Sequence, residues 1–396
     1  MRTTRGVLLV TELFPPAVGG TPTLFEALYS RLQDLKVVVL TNVTHDQSSV
    51  SARADDMTVV RRPIATTRWG ILNGKALAHH LRVVGLTRTL GSRREVIVHC
   101  GRALPEGVAA WISRLTGGPE YICWAHGEDI ASARRSRELT WLMTRVYTGA
   151  ATNIANSHHT RRMLEGLGIR SDRIHVVHPG VDVDRFRPRN DGVEIRRRFA
   201  GGGQTILLSI GRLQRRKGHD LAIDAVSRLG ASVPVHYLIG GDGDERDRLE
   251  ALVAARGVGD RVTFLGELQP DDLPRYYAAC DIFLMPNRID EDGDVEGFGM
   301  VFLEAAASGK PAIGGRSGGV VEAVVDGETG LLVSGTDPEE LAAAIRDLTQ
   351  SVAKRCAMGA AAHERARRAF TWERAAAEVR AVHMKVESFE RLLSSQ

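Results

Sequence analysis

Aromatic residues make up only 5% of this 396-residue sequence, and its basic residues come without zinc-finger spacing, a recognition helix or an RNA-binding aromatic pattern. A nucleic-acid-binding module is therefore disfavoured. Cysteine is scarce too: Cys100, Cys123, Cys280 and Cys356 stand far apart without metal or redox spacing, so reduced, buried thiols in a cytoplasmic protein are expected. No apolar run approaches the roughly 20 residues of a membrane span. The apolar segment Gly6–Val10 behind Met1–Arg5 is too short for a signal peptide and reads as a first strand. Gly240-Gly241-Asp242-Gly243 lacks the dinucleotide fingerprint. The acidic run Asp290–Asp294 lacks the ligand and glycine spacing of a calcium loop and reads as a mobile acidic loop.

What is present suits a globular chain with a large core, 43% hydrophobic and 25% charged, long enough for two domains of roughly 150–200 residues. The net charge of +4 hides an asymmetry. Of 52 basic and 48 acidic residues, 26 and 16 fall in residues 1–190, leaving 26 and 32 beyond. A basic first half points to an anionic partner: a membrane surface, a phosphorylated acceptor or nucleic acid. The pairs Arg61-Arg62, Arg93-Arg94 and Arg134-Arg135 carry much of the charge, and an arginine-rich composition without any partner is the plain alternative.

Short apolar runs alternate with amphipathic stretches throughout. Strands are expected at 6–11, 37–40, 57–60, 96–99, 121–124, 153–155 and 174–177, then at 205–210, 235–239, 262–266, 282–285, 311–313 and 331–333. Such alternation means α/β domains, each a parallel sheet covered by helices, with ligands beyond the carboxyl ends of the strands. The first domain is expected over 1–187, joined by a last helix at about 373–396, and the second over 188–372. A polar, glycine-ending stretch from Asn190 to Gly203 marks the junction.

The strand-to-helix loops hold the candidate chemistry. Gly19 and Gly20 precede a helix with Thr21 at its cap and Pro22 at its first position, and they admit a phosphate or sugar close to the backbone. His126 follows a strand and could bond a sugar hydroxyl or phosphate or shuttle a proton; His99 is a weaker candidate of the same kind. Gly211 opens a loop in which Arg212 and Lys217 can grip a diphosphate; a merely solvated basic loop would leave its glycines unexplained. Leu268 follows another strand, whose end could wall a base pocket. Last comes Gly293–Pro311, a glycine-rich entry feeding a helix with Gly309 at its end. There the Phe298, Gly299, Met300 and Val301 amides make an anion-seeking first turn. Glu296 and Glu304 flank it and could hold sugar and ribose hydroxyls, although two solvated acids on an ordinary helix is the alternative.

Taken together, Phe14-Pro15-Pro16 with Gly19-Gly20, His126-Gly127, Pro179–Asp182 with Arg185-Phe186, Gly211–Leu213 with Lys217-Gly218, and Glu296 to Glu304 with Gly309–Pro311 resemble glycosyltransferase family 4. These are retaining enzymes of the GT-B architecture, two Rossmann-like domains facing a central cleft. The resemblance spans nearly the whole chain, and Asp294–Gly297 is nearest in wording to the phosphatidylinositol mannosyltransferase-like bacterial branch. It implies hexosyl transfer from a GDP-mannose-type or UDP-sugar donor to a hydroxyl-bearing, possibly anionic or lipid-linked acceptor, without metal or other cofactor. It implies that His126, Arg212, Lys217 and Glu296 serve catalysis, with Arg212 and Lys217 on the leaving diphosphate. Gly19, Gly20, Gly211, Leu268, Phe298, Gly299, Met300, Val301 and Glu304 would bind the donor. The expected setting is the cytoplasm, with peripheral contact to the inner membrane face through the basic half. The competing readings are a GT-B epimerase or phosphorylase and a non-catalytic nucleic-acid- or carbohydrate-binding protein. The Arg212–Lys217 loop with the two glutamates argues against an epimerase.

Overall fold

The computed structural model describes residues 4–43, 52–54, 57–92, 95–201, 203–230 and 232–394, so Arg93-Arg94 lies outside the described residues. The chain forms two compact units, Met1–Pro179 with Trp372–Gln396, and Gly180–Thr371. The expected boundary at 187/188 comes too late. Val181 donates its N–H to the Phe370 carbonyl at 2.8 Å and bridges to Thr371, which ties the segment after Pro179 to the second unit.

In the first unit the strands are β1 (Gly6–Val10), β2 (Val37–Thr41), β3 (Ala52–Ala54), β4 (Met57–Arg61), β5 (Val96–Cys100), β6 (Tyr121–Ala125), β7 (Thr152–Ala155) and β8 (Ile174–Val176). They lie in the order β3-β4-β2-β1-β5-β6-β7-β8. All pairings are parallel except β3 with β4. The run GVLLV of β1 is buried at every position because both faces carry helices, so such strands read as continuous apolar runs. The second unit carries β9 (Thr205–Ile210), β10 (Val235–Gly240), β11 (Val262–Gly266), β12 (Ile282–Met285), β13 (Ala312–Gly315) and β14 (Gly330–Val333). Their order is β11-β10-β9-β12-β13-β14. This is the doubly wound arrangement, and in each unit the order reverses once, between β1 and β5 and between β9 and β12.

His99 is not at a site. It lies within β5 at 0% exposure, and its ring is locked into a chain of hydrogen bonds through the first unit's interior. Trp124 Nε1 donates to Tyr29 Oη (3.0 Å), and Tyr29 Oη donates to His99 Nδ1 (2.7 Å). His99 Nε2 donates to His383 Nδ1 (3.1 Å), and His383 Nε2 to the Arg5 carbonyl (3.0 Å). Burial lowers both histidines' pKa values and keeps them neutral. The chain fastens the last helix, Trp372–Ser394, to the first unit. Cys100, Cys123 and Cys280 are buried as expected, whereas Cys356 is exposed on the helix Val352–Ala369.

Candidate active site

In the second unit, the loops leaving β9 and β12 meet at the reversal point. Gly211, at φ +156°, turns the chain out of β9, and the Lys217 side chain folds back beside it. Arg215–Lys217 is one tight 3-10 turn that ends at Gly218, φ +75°. A Cβ at Gly218 would stand 2.2 Å from the Pro286 carbonyl oxygen, so the two loops touch backbone to backbone. The tight turn sorts the three cations. Arg215 faces outward to Glu245 (3.7 Å) and Glu291 (3.2 Å), while Arg216 and Lys217 are buried.

Both buried cations converge on Glu296. Its Oε2 lies 2.5 Å from Lys217 Nζ and 3.0 Å from Arg216 Nη1, and it accepts from Asn287 Nδ2 at 3.2 Å. Arg216 Nε is paired with Asp294 Oδ2 at 3.0 Å. Burial pushes the Glu296 carboxyl up, but Lys217 and Arg216 outweigh it and hold it below its ordinary value. The loop is backed by a glycine turn: Gly319 N–H donates to the Glu296 carbonyl (2.9 Å), and a Cβ at Gly319 would sit 2.1 Å from the Gly297 carbonyl oxygen. The acidic run before it is a closed turn rather than a loose loop. Asp290 Oδ1 accepts the Asp292 and Asp294 N–H groups, at 3.0 and 2.8 Å.

The helix expected after Glu296 spans Met300–Ala307, with Gly299 (φ +90°) before it and Gly309 (φ +71°) just past its end. Phe298 therefore precedes the first turn instead of belonging to it. Its side chain is 2% exposed and packs on Phe370, with centroids 5.7 Å apart. Phe302 braces the helix against Phe283 of β12 (5.3 Å). Glu304 has a different partner from Glu296: Tyr277 Oη donates to its Oε2 at 2.7 Å. Enclosure raises its carboxyl to about 7, with the Tyr277 bond and Arg185 opposing. Leu268 lies over Gly240, where a Cβ would meet its Cδ1 at 2.7 Å. Arg212 is exposed.

The first unit groups its candidates at its own reversal point. Gly19, at φ +144°, caps the helix Gly20–Tyr29, which begins before the expected Thr21 cap because only glycine enters the turn this way. His126 Nε2 donates to the Gly101 carbonyl (2.8 Å), leaving Nδ1 as an acceptor. Its ring is parallel to Trp124 within 2°, and Phe25 meets it edge-on at 5.7 Å. Unforeseen beside it is a buried charge group. Arg102 Nη2 is 2.7 Å from Glu12 Oε2, and its Nε is 3.1 Å from Glu106 Oε2. Burial, then the nearby Glu106 charge, raises Glu12 to about 7. Sequence reasoning gave no site role to Arg216, Asn287, Asp294 or Tyr277; the signals available were the adjacency of Arg216 to Lys217 and the place of Asp294 two residues before Glu296.

Two doubly wound sheets, the second with cations and a glutamate gathered at its reversal point, have the GT-B architecture. Residues 18–185 match the family model Glycosyltransferase Family 4, and residues 193–365 match Glycosyl transferases group 1. A GDP-mannose-dependent alpha-(1-6)-phosphatidylinositol monomannoside mannosyltransferase of Mycolicibacterium smegmatis is 31% identical over 369 residues, covering 90% of this chain and 92% of the relative. The chain belongs to glycosyltransferase family 4, and it is an enzyme of that class. Sucrose-phosphate synthase from Thermosynechococcus elongatus shares the fold at TM-score 0.81 and 22% identity, over 99% of this chain and 100% of that one. Anabaena HepE in complex with UDP and glucose does so at 0.77 and 20%, over 96% and 99%.

Proposed function

We propose that this glycosyltransferase moves a mannosyl group from GDP-mannose to a hydroxyl of a phosphorylated, lipid-linked acceptor, with retention and without a metal ion. The donor and acceptor classes are supported by the name of the M. smegmatis relative. The observation that carries the chemistry is the meeting of Lys217, Arg216 and Glu296 beside the amide end of the helix Met300–Ala307. Cations and unpaired amides placed where a diphosphate departs stabilise the charge that develops on it, the task a metal performs elsewhere. Lys217, with Arg212, is the proposed grip on the diphosphate; Gly299, Met300 and Val301 offer amides, and Glu296 takes a hydroxyl of the sugar. Glu304 takes the ribose hydroxyls and Leu268 backs the base. Gly20 and His126 are proposed ligand contacts in the first unit. Retention follows from departure of the diphosphate through a short-lived oxocarbenium-like ion pair, attacked from the same face.

We also propose that the first unit meets an anionic membrane surface. On the helix Gly74–Leu90 and its entry, Leu72, Leu77 and Leu81 are 83%, 39% and 52% exposed, among exposed Arg68, Lys75 and Arg82. No helix among the described residues is long and apolar enough to cross a membrane.

A metal-free calorimetric titration with GDP, UDP and ADP tests the donor assignment. The expected result is a clear preference for GDP; preference for UDP replaces the donor, and binding of none removes the donor-site reading.

A further inference from the structure

We propose that Arg216 is a positioning residue that frees Lys217 for the diphosphate by keeping Glu296 charged after Lys217 lets go. The inference rests on the donor-site reading above and adds a role the site did not contain. Lys217 is already committed: its ammonium sits 2.5 Å from Glu296 Oε2. A lysine held this way adds little to an incoming anion unless the carboxylate it abandons has another cation, since a buried carboxylate stripped of its partner is strongly disfavoured.

Arg216 is built to be that cation. Its guanidinium spans two carboxylates, Nε on Asp294 and Nη1 on Glu296, each at 3.0 Å. A planar fork holds both at fixed positions, whereas an ammonium offers its donors from a single point. Two cations thus balance two carboxylates. When Lys217 turns to the diphosphate, Arg216 and the buried Asn287 amide still hold Glu296 as an anion able to accept a sugar hydroxyl.

The other charged groups around Glu296 are committed elsewhere. Asp220, after the loop, is paired with Arg288 (2.8 Å) and Arg248 (3.2 Å). His219, next to Lys217, is lowered to about 4 by burial and by the lysine, so it is neutral through the working range. In the glycine turn behind Glu296, Arg316 points to Glu340 at 3.5 Å. The state of Glu296 is therefore set by Lys217, Arg216 and Asp294.

The test uses the full chain with GDP-mannose and reads kcat against pH, donor KM and the thermal midpoint. Arg216→Gln is expected to lower kcat about 100-fold while donor KM rises at most about tenfold, and to move the acidic limb of kcat up by about one pH unit. Arg216→Lys, which returns the charge, is expected to restore the limb and part of kcat. Asp294→Asn removes a negative neighbour and is expected to move the limb the opposite way, to lower pH, which loss of a merely structural contact would not do. It also decides the matter should Arg216→Gln not fold. An unmoved limb in both Arg216→Gln and Asp294→Asn, or in Asp294→Asn alone if the other is unfolded, overturns the proposal. Lys217→Ala and Glu296→Gln separate the two failures. Near-normal turnover in these variants removes the donor-site reading itself. Lost turnover there with an unmoved limb in the Arg216 and Asp294 variants removes only the role of Arg216.

Discussion

The Glu304 carboxyl, raised to about 7 by enclosure and bonded to Tyr277, is partly protonated at neutral pH. Ribose hydroxyls donate to a carboxylate, so nucleotide binding at this residue favours the ionised form and expels a proton. GDP affinity should therefore rise between pH 6 and pH 8, by up to roughly tenfold for a group titrating in that window. Calorimetry near pH 6.5 in buffers of different ionisation enthalpy should show proton release, and Glu304→Gln should abolish both effects. A buffer-independent heat would remove Glu304 from the nucleotide contact. For folding the sign is reversed: a carboxyl raised above its unfolded value destabilises the folded chain progressively as pH rises from about 4.5 to about 7. The sequence exposed Glu296, Glu304 and Lys217 because glycines punctuate the loops around them. It hid Arg216, since three adjacent cations give charge without direction, and only the tight turn sends Arg215 outward and Arg216 inward. His99 misled for the converse reason: an apparent strand end proved to be the strand's buried interior.

Strands were legible, and so was the start of the last helix at Trp372, but not that of the first helix. Every parallel strand is a short apolar run between turn residues, whereas β3 has no such run and exists through pairing with β4. The helix at Gly20 starts early because Gly19 reaches φ +144°, a backbone choice that side-chain periodicity cannot reveal. Gly218 is the sharper case. At φ +75°, with a Cβ position 2.2 Å from the Pro286 carbonyl oxygen, Gly218→Ala should cost roughly 2–3 kcal/mol and separate the β9 and β12 loops. Its thermal midpoint should fall by several degrees and its GDP affinity with it; an unchanged melt would mean the loops do not pack this closely. On the helix Gly74–Leu90, replacing exposed Leu77 and Leu81 by Gln should leave the melt unchanged, because neither is in the core. Co-sedimentation with anionic phosphatidylglycerol vesicles should drop severalfold, by roughly the transfer energy of two part-exposed leucines. Equal sedimentation would discard this face as the contact.

The division into two α/β units was readable from the alternation of runs, but the exact crossover was not, because it depends on one backbone pairing. No local pattern announces that Val181 will meet Phe370 and Thr371. The return of the last helix to the first unit was expected from the chain's order of elements, but not its cause; the structure supplies that in the His99–His383 bond and in Arg5 donating its N–H to Glu387 at 2.9 Å.

The pairing of Val181 with Phe370 and Thr371 gives the second unit the character of a cassette spliced into the first. Its entry and exit are pinned side by side, so cutting it out leaves no dangling ends and removes no strand from either sheet. A fragment of residues 180–371, expressed alone, should melt as one cooperative body. With the Lys217–Glu296 cluster and Glu304 all inside it, the fragment should still bind GDP, though it should transfer nothing.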